Sequence, residues 1–294
     1  MSIPNLTLPI GVFDSGVGGL SVLRSILAQM PGESFVYVAD QAHVPYGPRS
    51  LEQVRAFSAG ICRYLIDSGA KTVVVACNSA SAAALTHLRT VFSEVAFVGM
   101  EPAVKPAAEK TRTGVVGVLA TPATFQGALF ASVVERFAAG VTLLQSTCPG
   151  LVECIEAGDL TGVQPRAILR DALEPMLAQS IDTVVLACTH YPFVIPLIQE
   201  IVGKGVRVID PAPAVARQTM RVLDGKGIRG QDSGGGKTEF FTSGDPDQLR
   251  MMLAKLLHLE GKVKGLVWQE DVQVMEQDRG TATTAPAPGR SSKG

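Results

Sequence analysis

The octet Thr72-Val73-Val74-Val75-Ala76-Cys77-Asn78-Ser79 recurs as Thr183-Val184-Val185-Leu186-Ala187-Cys188-Thr189-His190, with its cysteine moved 111 residues, from 77 to 188. A β-branched apolar run of this length reads as a buried strand of a parallel sheet. In both copies a cysteine follows the run at once. Doubly wound α/β folds bind their ligands just beyond the carboxyl ends of such strands. Two thiols therefore hold equivalent places in two similar halves. If the halves face each other, a small molecule between them meets one thiol on each side, as a two-base proton transfer requires.

The repeat reaches beyond the cysteines. Ile10-Gly11-Val12-Phe13-Asp14-Ser15 opens the first half as Val116-Gly117-Val118-Leu119-Ala120-Thr121 opens the second, and Glu101-Pro102-Ala103-Val104 is echoed by Asp210-Pro211-Ala212-Pro213-Ala214-Val215. Echoes kept in the same order point to duplication. Strands are expected at Ile10–Phe13, Ser34–Ala39, Thr72–Ala76, Ala96–Gly99, Gly114–Leu119, Val141–Gln145, Thr183–Ala187, Val206–Ile209 and Lys237–Ser243, with helical patterns between them. That alternation predicts an α/β fold with largely parallel sheets. Helices are expected at about Leu20–Leu27, Leu51–Leu65 and Ala214–Leu223, and another starts at Asp245-Pro246, an N-cap followed by proline at the first helical position, and runs to Leu257. Gly225 to Gly236 reads as a surface loop. Gln277 to Gly294, rich in Thr, Ala, Pro, Gly and Ser, reads as a disordered tail.

Composition narrows the function. With 294 residues, 46% of them hydrophobic, the chain is long enough for one large or two ordinary globular domains. Its 26 basic and 27 acidic residues are not clustered, which leaves no electrostatic footprint for nucleic acid and favours a small ligand. Residues Met1 to Ile10 lack signal-peptide character, and no apolar run approaches the roughly 18 residues of a membrane helix. A cytoplasmic protein is expected. Five cysteines without a CxxC pair argue against a disulfide framework. Cys62, Cys148 and Cys154 are expected to be structural.

Asp14-Ser15-Gly16-Val17-Gly18-Gly19 lies between the first strand and a helix, where glycines let backbone N–H groups approach a carboxylate or phosphate. The dinucleotide fingerprint fails, because Ser21 stands where it needs glycine. Asp14, at the end of a first strand, is a candidate functional acid, with helix capping as the alternative. Ser233-Gly234-Gly235-Gly236-Lys237-Thr238 is not a P-loop, since Gln231 replaces the first glycine and a strand, not a helix, is expected next. Cys77 and Cys188 are the candidate reactive thiols, with Asp14 and His190 as proton partners. Two other readings use the same residues: a metal site built from Cys77, Cys188, His190 and Asp14, and a Cys–His hydrolase, which leaves one copy of the repeat unexplained.

From Ile10 to about Gly261 the chain resembles the glutamate racemases of the cofactor-independent aspartate/glutamate racemase superfamily. The resemblance is carried in order by GVFDSGVGGLSV, VPYG, VVACNSAS, MEPAVKPA, LATPATF, VVLACTHYPF and DPAPAVA. Ser79 departs from the family's usual threonine but keeps the hydroxyl. The resemblance implies two pseudo-symmetric αβα domains with the active site between them, here residues 1–99 plus 211–270 and residues 100–210. It implies catalytic bases at Cys77, acting on D-glutamate, and Cys188, acting on L-glutamate, assisted by Asp14 and His190. An acidic residue near the histidine is best matched by Glu156, with Glu153 as the fallback. Substrate contacts are implied at Asp14, Ser15, Pro45, Tyr46, Gly47, Asn78, Ser79, Thr121, Thr189 and His190. It further implies no metal or other cofactor, a homodimer, and a role supplying D-glutamate for bacterial peptidoglycan. An aspartate or other amino-acid racemase, and a thiol redox or metal-binding protein, are the competing expectations.

Overall fold

In the computed structural model, residues 6–230, 235–270 and 273–277 are described. The strands are β1 (Ile10–Asp14), β2 (Phe35–Ala39), β3 (Thr72–Val75), β4 (Ala96–Gly99), β5 (Val115–Ala120), β6 (Thr142–Ser146), β7 (Thr183–Ala187), β8 (Arg207–Ile209), β9 (Thr238–Thr242), β10 (Val263–Gln269) and β11 (Gln273–Glu276). The helices are α1 (Leu20–Gln29), α2 (Leu51–Asp67), α3 (Asn78–Val91), α4 (Val104–Lys110), α5 (Pro122–Gln126), α6 (Ala128–Phe137), α7 (Leu151–Glu156), α8 (Val163–Leu177), α9 (Ile195–Val202), α10 (Ala212–Lys226) and α11 (Pro246–Leu257). A 3₁₀ turn spans Tyr191–Val194.

One sheet has the order β11-β10-β9-β2-β1-β3-β4 and the other β6-β5-β7-β8. All neighbouring pairs are parallel except β10 with β11. The order β2-β1-β3-β4 is reproduced as β6-β5-β7-β8, so the repeat seen in the sequence is a repeat of topology. β3 and β7, which carry the two octets, are the matching inner strands and are wholly buried. Strands covered on both faces need continuous apolar runs, which is why these segments read as Val-rich rather than alternating. One apolar cluster runs from Ile10, Leu20 and Tyr37 beside the larger sheet to Leu186, Tyr191 and Ile198 beside the smaller. That cluster joins the two sheets, and a further cluster lies beside each of them.

All nine expected strands are present to within a residue or two. Two more, β10 and β11, were not expected. Gly265 interrupts the first, and in the second only Val274 is buried, so neither shows a strong period. The helix expected from Ala214 to Leu223 is longer at both ends. Its turn comes at Gly227, which takes the left-handed backbone (φ 66°), rather than at Gly225. Residues 228–230 and 235–236 belong to the expected loop; 231–234 lie outside the described residues. Of the expected tail, Gln277 donates its backbone N–H to Gly265 O at 3.0 Å, and the rest lies outside the described residues. Among the described residues, no helix is long and apolar enough to cross a membrane.

Candidate active site

Both octets end at one narrow cavity, lined by Cys77, Asn78 and Ser79 from one copy and by Cys188, Thr189 and His190 from the other. Ser15, after β1, and Thr121, after β5, contribute equivalent walls, and Pro45, Tyr46, Gly47 and Val152 complete it. Every residue expected to contact substrate is therefore part of this lining except Asp14. Asp14 is fully buried behind it, receiving the Gly16 N–H at 3.1 Å and the Thr189 hydroxyl at 3.2 Å.

Cys77 is the N-cap of α3, its extended backbone (φ −135°, ψ 126°) turning the chain from strand to helix, and its sulfur accepts the Ala80 N–H at 3.5 Å. Ser15 Oγ lies 3.9 Å from the same sulfur. Burial pushes this thiol well above its ordinary range, and the nearby Asp14 carboxylate pushes it further. Asp14 itself is raised, first by burial; the charge of His190 and the Gly16 N–H oppose that rise.

The second thiol has different company. Cys188 Sγ is 3.8 Å from His190 Nδ1, and His190 Nε2 is 2.6 Å from Glu156 Oε1. Burial alone would lower the histidine's pKa, but its hydrogen bonds to Cys188 and Glu156 and the glutamate charge hold it well above 6.5. Burial alone would raise Glu156, but the bonds from His190, the Val17 N–H at 2.7 Å and Gln41 Nε2 at 3.2 Å keep it below the usual carboxylate range. The result is a buried imidazolium–carboxylate pair beside Cys188.

This pair explains the glycines of the β1–α1 loop. The loop's backbone meets the protein's own Glu156 carboxylate through the Val17 N–H. A Cβ at Gly16 would collide with Glu156 Oε1, and one at Gly18 would collide with His190 Nδ1 and lie 2.7 Å from Thr189 Oγ1. Glu153 stands elsewhere, lining a neighbouring apolar cleft of about 500 Å³ with Cys148 and Pro149. The helical phase of α7 thus turns Glu156, not Glu153, to the histidine.

Cys62 is buried in α2, and Cys148 and Cys154 are buried outside the cavity lining. Burial raises the Cys148 thiol to about 12. Among the described residues no group of three or more His, Cys, Asp and Glu side chains is arranged to hold a metal ion, so Cys77, Cys188, His190 and Asp14 do not form the alternative ligand set.

Two features bear on a ligand. Both polar atoms of the Asn78 side chain are buried without a hydrogen-bond partner, an arrangement that costs free energy unless something entering the cavity satisfies them. Ser79 Oγ and Thr121 Oγ1 are 2.8 Å apart, joining the two halves across the cavity. The sequence reading missed Val152, the Val17 amide and Gln41. Gln41 carried a usable signal, since it is a polar residue just past a buried strand, the same position that singled out the cysteines.

Comparison with known proteins places this geometry. The Asp/Glu/hydantoin racemase family pattern matches residues 10–219. A glutamate racemase of Pseudomonas aeruginosa is 52% identical over 245 residues, covering 83% of this chain and 92% of the relative. The crystal structure of a Bacillus anthracis glutamate racemase superposes with a TM-score of 0.81 at 31% identity, covering 91% of this chain and all of that one. An Escherichia coli glutamate racemase, solved with L-glutamate and the activator UDP-MurNAc-Ala, gives 0.77 at 29% identity over 91% of this chain and 99% of that one. With two matched thiols at one cavity and this extent of similarity, the chain belongs to the Asp/Glu/hydantoin racemase family and, within it, to the glutamate racemases.

Proposed function

We propose that this protein interconverts L-glutamate and D-glutamate by a cofactor-independent two-base mechanism, with Cys77 and Cys188 as the bases. The observation that carries the reading is the pair of strand-end cysteines lining one cavity from topologically equivalent positions, Cys188 beside His190 and Cys77 within the field of Asp14. The α-proton of an amino acid is very weakly acidic, so the carbanion-like transition state needs donors fixed in place beforehand. The Asn78 amide, the hydroxyls of Ser15, Ser79 and Thr189, and the N-terminus of α3 are suited to the carboxylates and the ammonium group. Asp14, behind Thr189, adds negative charge on the Cys77 side.

In this scheme Cys188 takes the α-proton of L-glutamate, its thiolate paired with the His190 imidazolium that Glu156 holds. Cys77 gives its thiol proton to the opposite face, and inversion follows. Starting from D-glutamate the roles exchange. The high proton affinity of Cys77 suits it to hold the proton that it delivers.

We read residues 1–99 with 211–270 as one domain and 100–210 as the other. By family resemblance the product would feed bacterial peptidoglycan synthesis, and the working form would be a cytoplasmic homodimer; crosslinking and sedimentation would test the last. The activity itself is tested by circular dichroism of purified protein with each enantiomer of glutamate and of aspartate, without pyridoxal phosphate, nucleotide or metal. Glutamate should racemise in both directions. Turnover of aspartate alone, or full activity after both thiols are replaced, would overturn the reading.

A further inference from the structure

We propose that Gln41 is a positioning residue for proton transfer at Cys188, pinning the Glu156 carboxylate that holds His190 to the end of strand β9 in the opposite sheet. The proposal rests on the two-thiol reading above and concerns a side chain outside the cavity lining.

The hydrogen bonds have a fixed direction. Gly244 N–H donates to Thr242 Oγ1 at 2.9 Å, and the threonine hydroxyl donates to Gln41 Oε1 at 2.8 Å. The Gln41 amide therefore turns its NH₂ to Glu156 Oε2 at 3.2 Å, where an ionised carboxylate accepts only. The other glutamate oxygen takes Val17 N–H and His190 Nε2. With Oε1 alone held, the carboxylate plane can turn about its last bond; with Oε2 held as well, it cannot. The orientation of His190, and with it Nδ1 against the Cys188 sulfur, is set at the far end of this line.

Three further observations support the assignment. Thr242 is fully buried and Glu156 nearly so, so an oxygen of this carboxylate left without its donor is not compensated cheaply by water. Gly244 comes so close that a Cβ there would lie 2.6 Å from Gln41 Cβ, so the turn after β9 is shaped around this side chain. The Gln41 hydrogen bond is also among the interactions that keep Glu156 ionised.

The test uses the full chain carrying Gln41→Leu, which keeps bulk and removes the amide, and Thr242→Val, which keeps shape and removes the hydroxyl that orients Gln41. Initial rates and α-deuterium isotope effects are measured with each enantiomer. Racemisation has an equilibrium constant of unity, so kcat/KM must fall equally in both directions whatever the cause. The isotope effect need not. Slower transfer at Cys188 makes cleavage of the α-bond of L-glutamate more rate-limiting, so its isotope effect should rise while that of D-glutamate does not. The expected fall in kcat for Gln41→Leu is about tenfold, below the roughly 10²–10⁴-fold that positioned acid–base assistance is worth in full, with KM within about twofold. Thr242→Val should show the same asymmetry with a smaller loss, and it carries the test if Gln41→Leu does not fold. Isotope effects that change equally for both enantiomers, or a kcat unchanged in both variants, would overturn the proposal. Failure of the two-thiol reading is separable, because it shows as racemisation surviving in Cys188→Ala with Gln41 untouched.

Discussion

Replacing Gly18 by alanine tests whether the β1–α1 loop exists to let the histidine approach. The backbone at Gly18 is not left-handed, so alanine fits its conformation without strain, and such a change alone would stabilise by about 0.4–1 kcal/mol through the unfolded chain. The obstacle is space. An added Cβ would collide with His190 Nδ1 and lie 2.6 Å from its Cε1, where ordinary contact begins at 3.4 Å, so the ring must retreat by at least about 0.8 Å. Glu156 holds the other side of the ring at 2.6 Å, so the retreat also strains a buried ion pair. Overpacking of this kind costs about 1–3 kcal/mol, so the melting temperature should fall by several degrees at most. Activity should fall much further, since a misplacement of about 1 Å in a catalytic group can cost roughly 10²-fold. The assay is kcat/KM for both enantiomers by circular dichroism, beside a thermal melt. The matched control is Gly225→Ala near the end of α10, where nothing lies within 4 Å of the added carbon. It should stabilise by about 0.5–1 kcal/mol and leave activity unchanged. A Gly18→Ala enzyme within a few-fold of the parent rate would refute the argument, because the loop would then have given way instead of the histidine.

Cys77→Ala and Cys188→Ala should each nearly abolish inversion, yet exchange should survive on one face only: deuterium from heavy water enters D-glutamate with Cys188→Ala and L-glutamate with Cys77→Ala, read by mass spectrometry. Equal labelling of both enantiomers by both variants would sink the assignment. The ion pair predicts a stability profile. His190, raised in the fold, contributes in full below its unfolded pKa of about 6.5 and loses that contribution as pH rises through its higher folded value; Glu156, lowered in the fold, contributes above about 4.5 and loses it as pH falls through its folded value. Urea unfolding of the parent against Glu156→Gln should therefore show its largest difference between these limits and a smaller one at either end, and a difference independent of pH from 4 to 10 would count against the pair.

The repeat made the fold legible, because a buried parallel strand must be apolar on both faces and β3 and β7 carry that requirement visibly. The strand-end rule then located both cysteines and Asp14 without any structure, while Ser15 and Thr121 were implied by the family resemblance. What the sequence hid is what depends on direction across the fold. Whether Glu153 or Glu156 meets His190 is settled by the turn of α7 against a loop some 140 residues earlier, and either residue satisfies the local pattern. The β1–α1 glycines were read correctly as permitting an anion to approach, and the internal Glu156 carboxylate does so through the Val17 N–H. Strands β10 and β11 were missed since their burial is partial and their glycine and charged residues weaken any period. Gln41 stands just past a buried strand, as the cysteines do, but a lone amide has no acid–base chemistry of its own, and its partners Thr242 and Glu156 are set by the fold.

The duplication gives equal placement to the two thiols and unequal electrostatics. Cys77 faces a buried carboxylate and a helix amide; Cys188 faces an imidazolium secured by a second carboxylate. A racemase does not need symmetric bases, since with an equilibrium constant of unity the rate in each direction passes over the same highest transition state. It does need one base charged and the other protonated in each resting form, and two identical environments would leave that distribution undetermined. The environment resists charge at Cys77 and sets the His190 cation beside Cys188, so the two sides are not equivalent. Passing between the form that accepts L-glutamate and the form that accepts D-glutamate requires the proton to be redistributed between the two sides. The Asp14–Thr189 bond joins the carboxylate whose charge acts on Cys77 to the residue between Cys188 and His190. Thr189→Val should accordingly impair the interconversion of the two resting forms, visible as a tracer effect in which saturation by one enantiomer alters exchange of the other. A variant with normal tracer behaviour and only a raised KM would limit Thr189 to substrate binding.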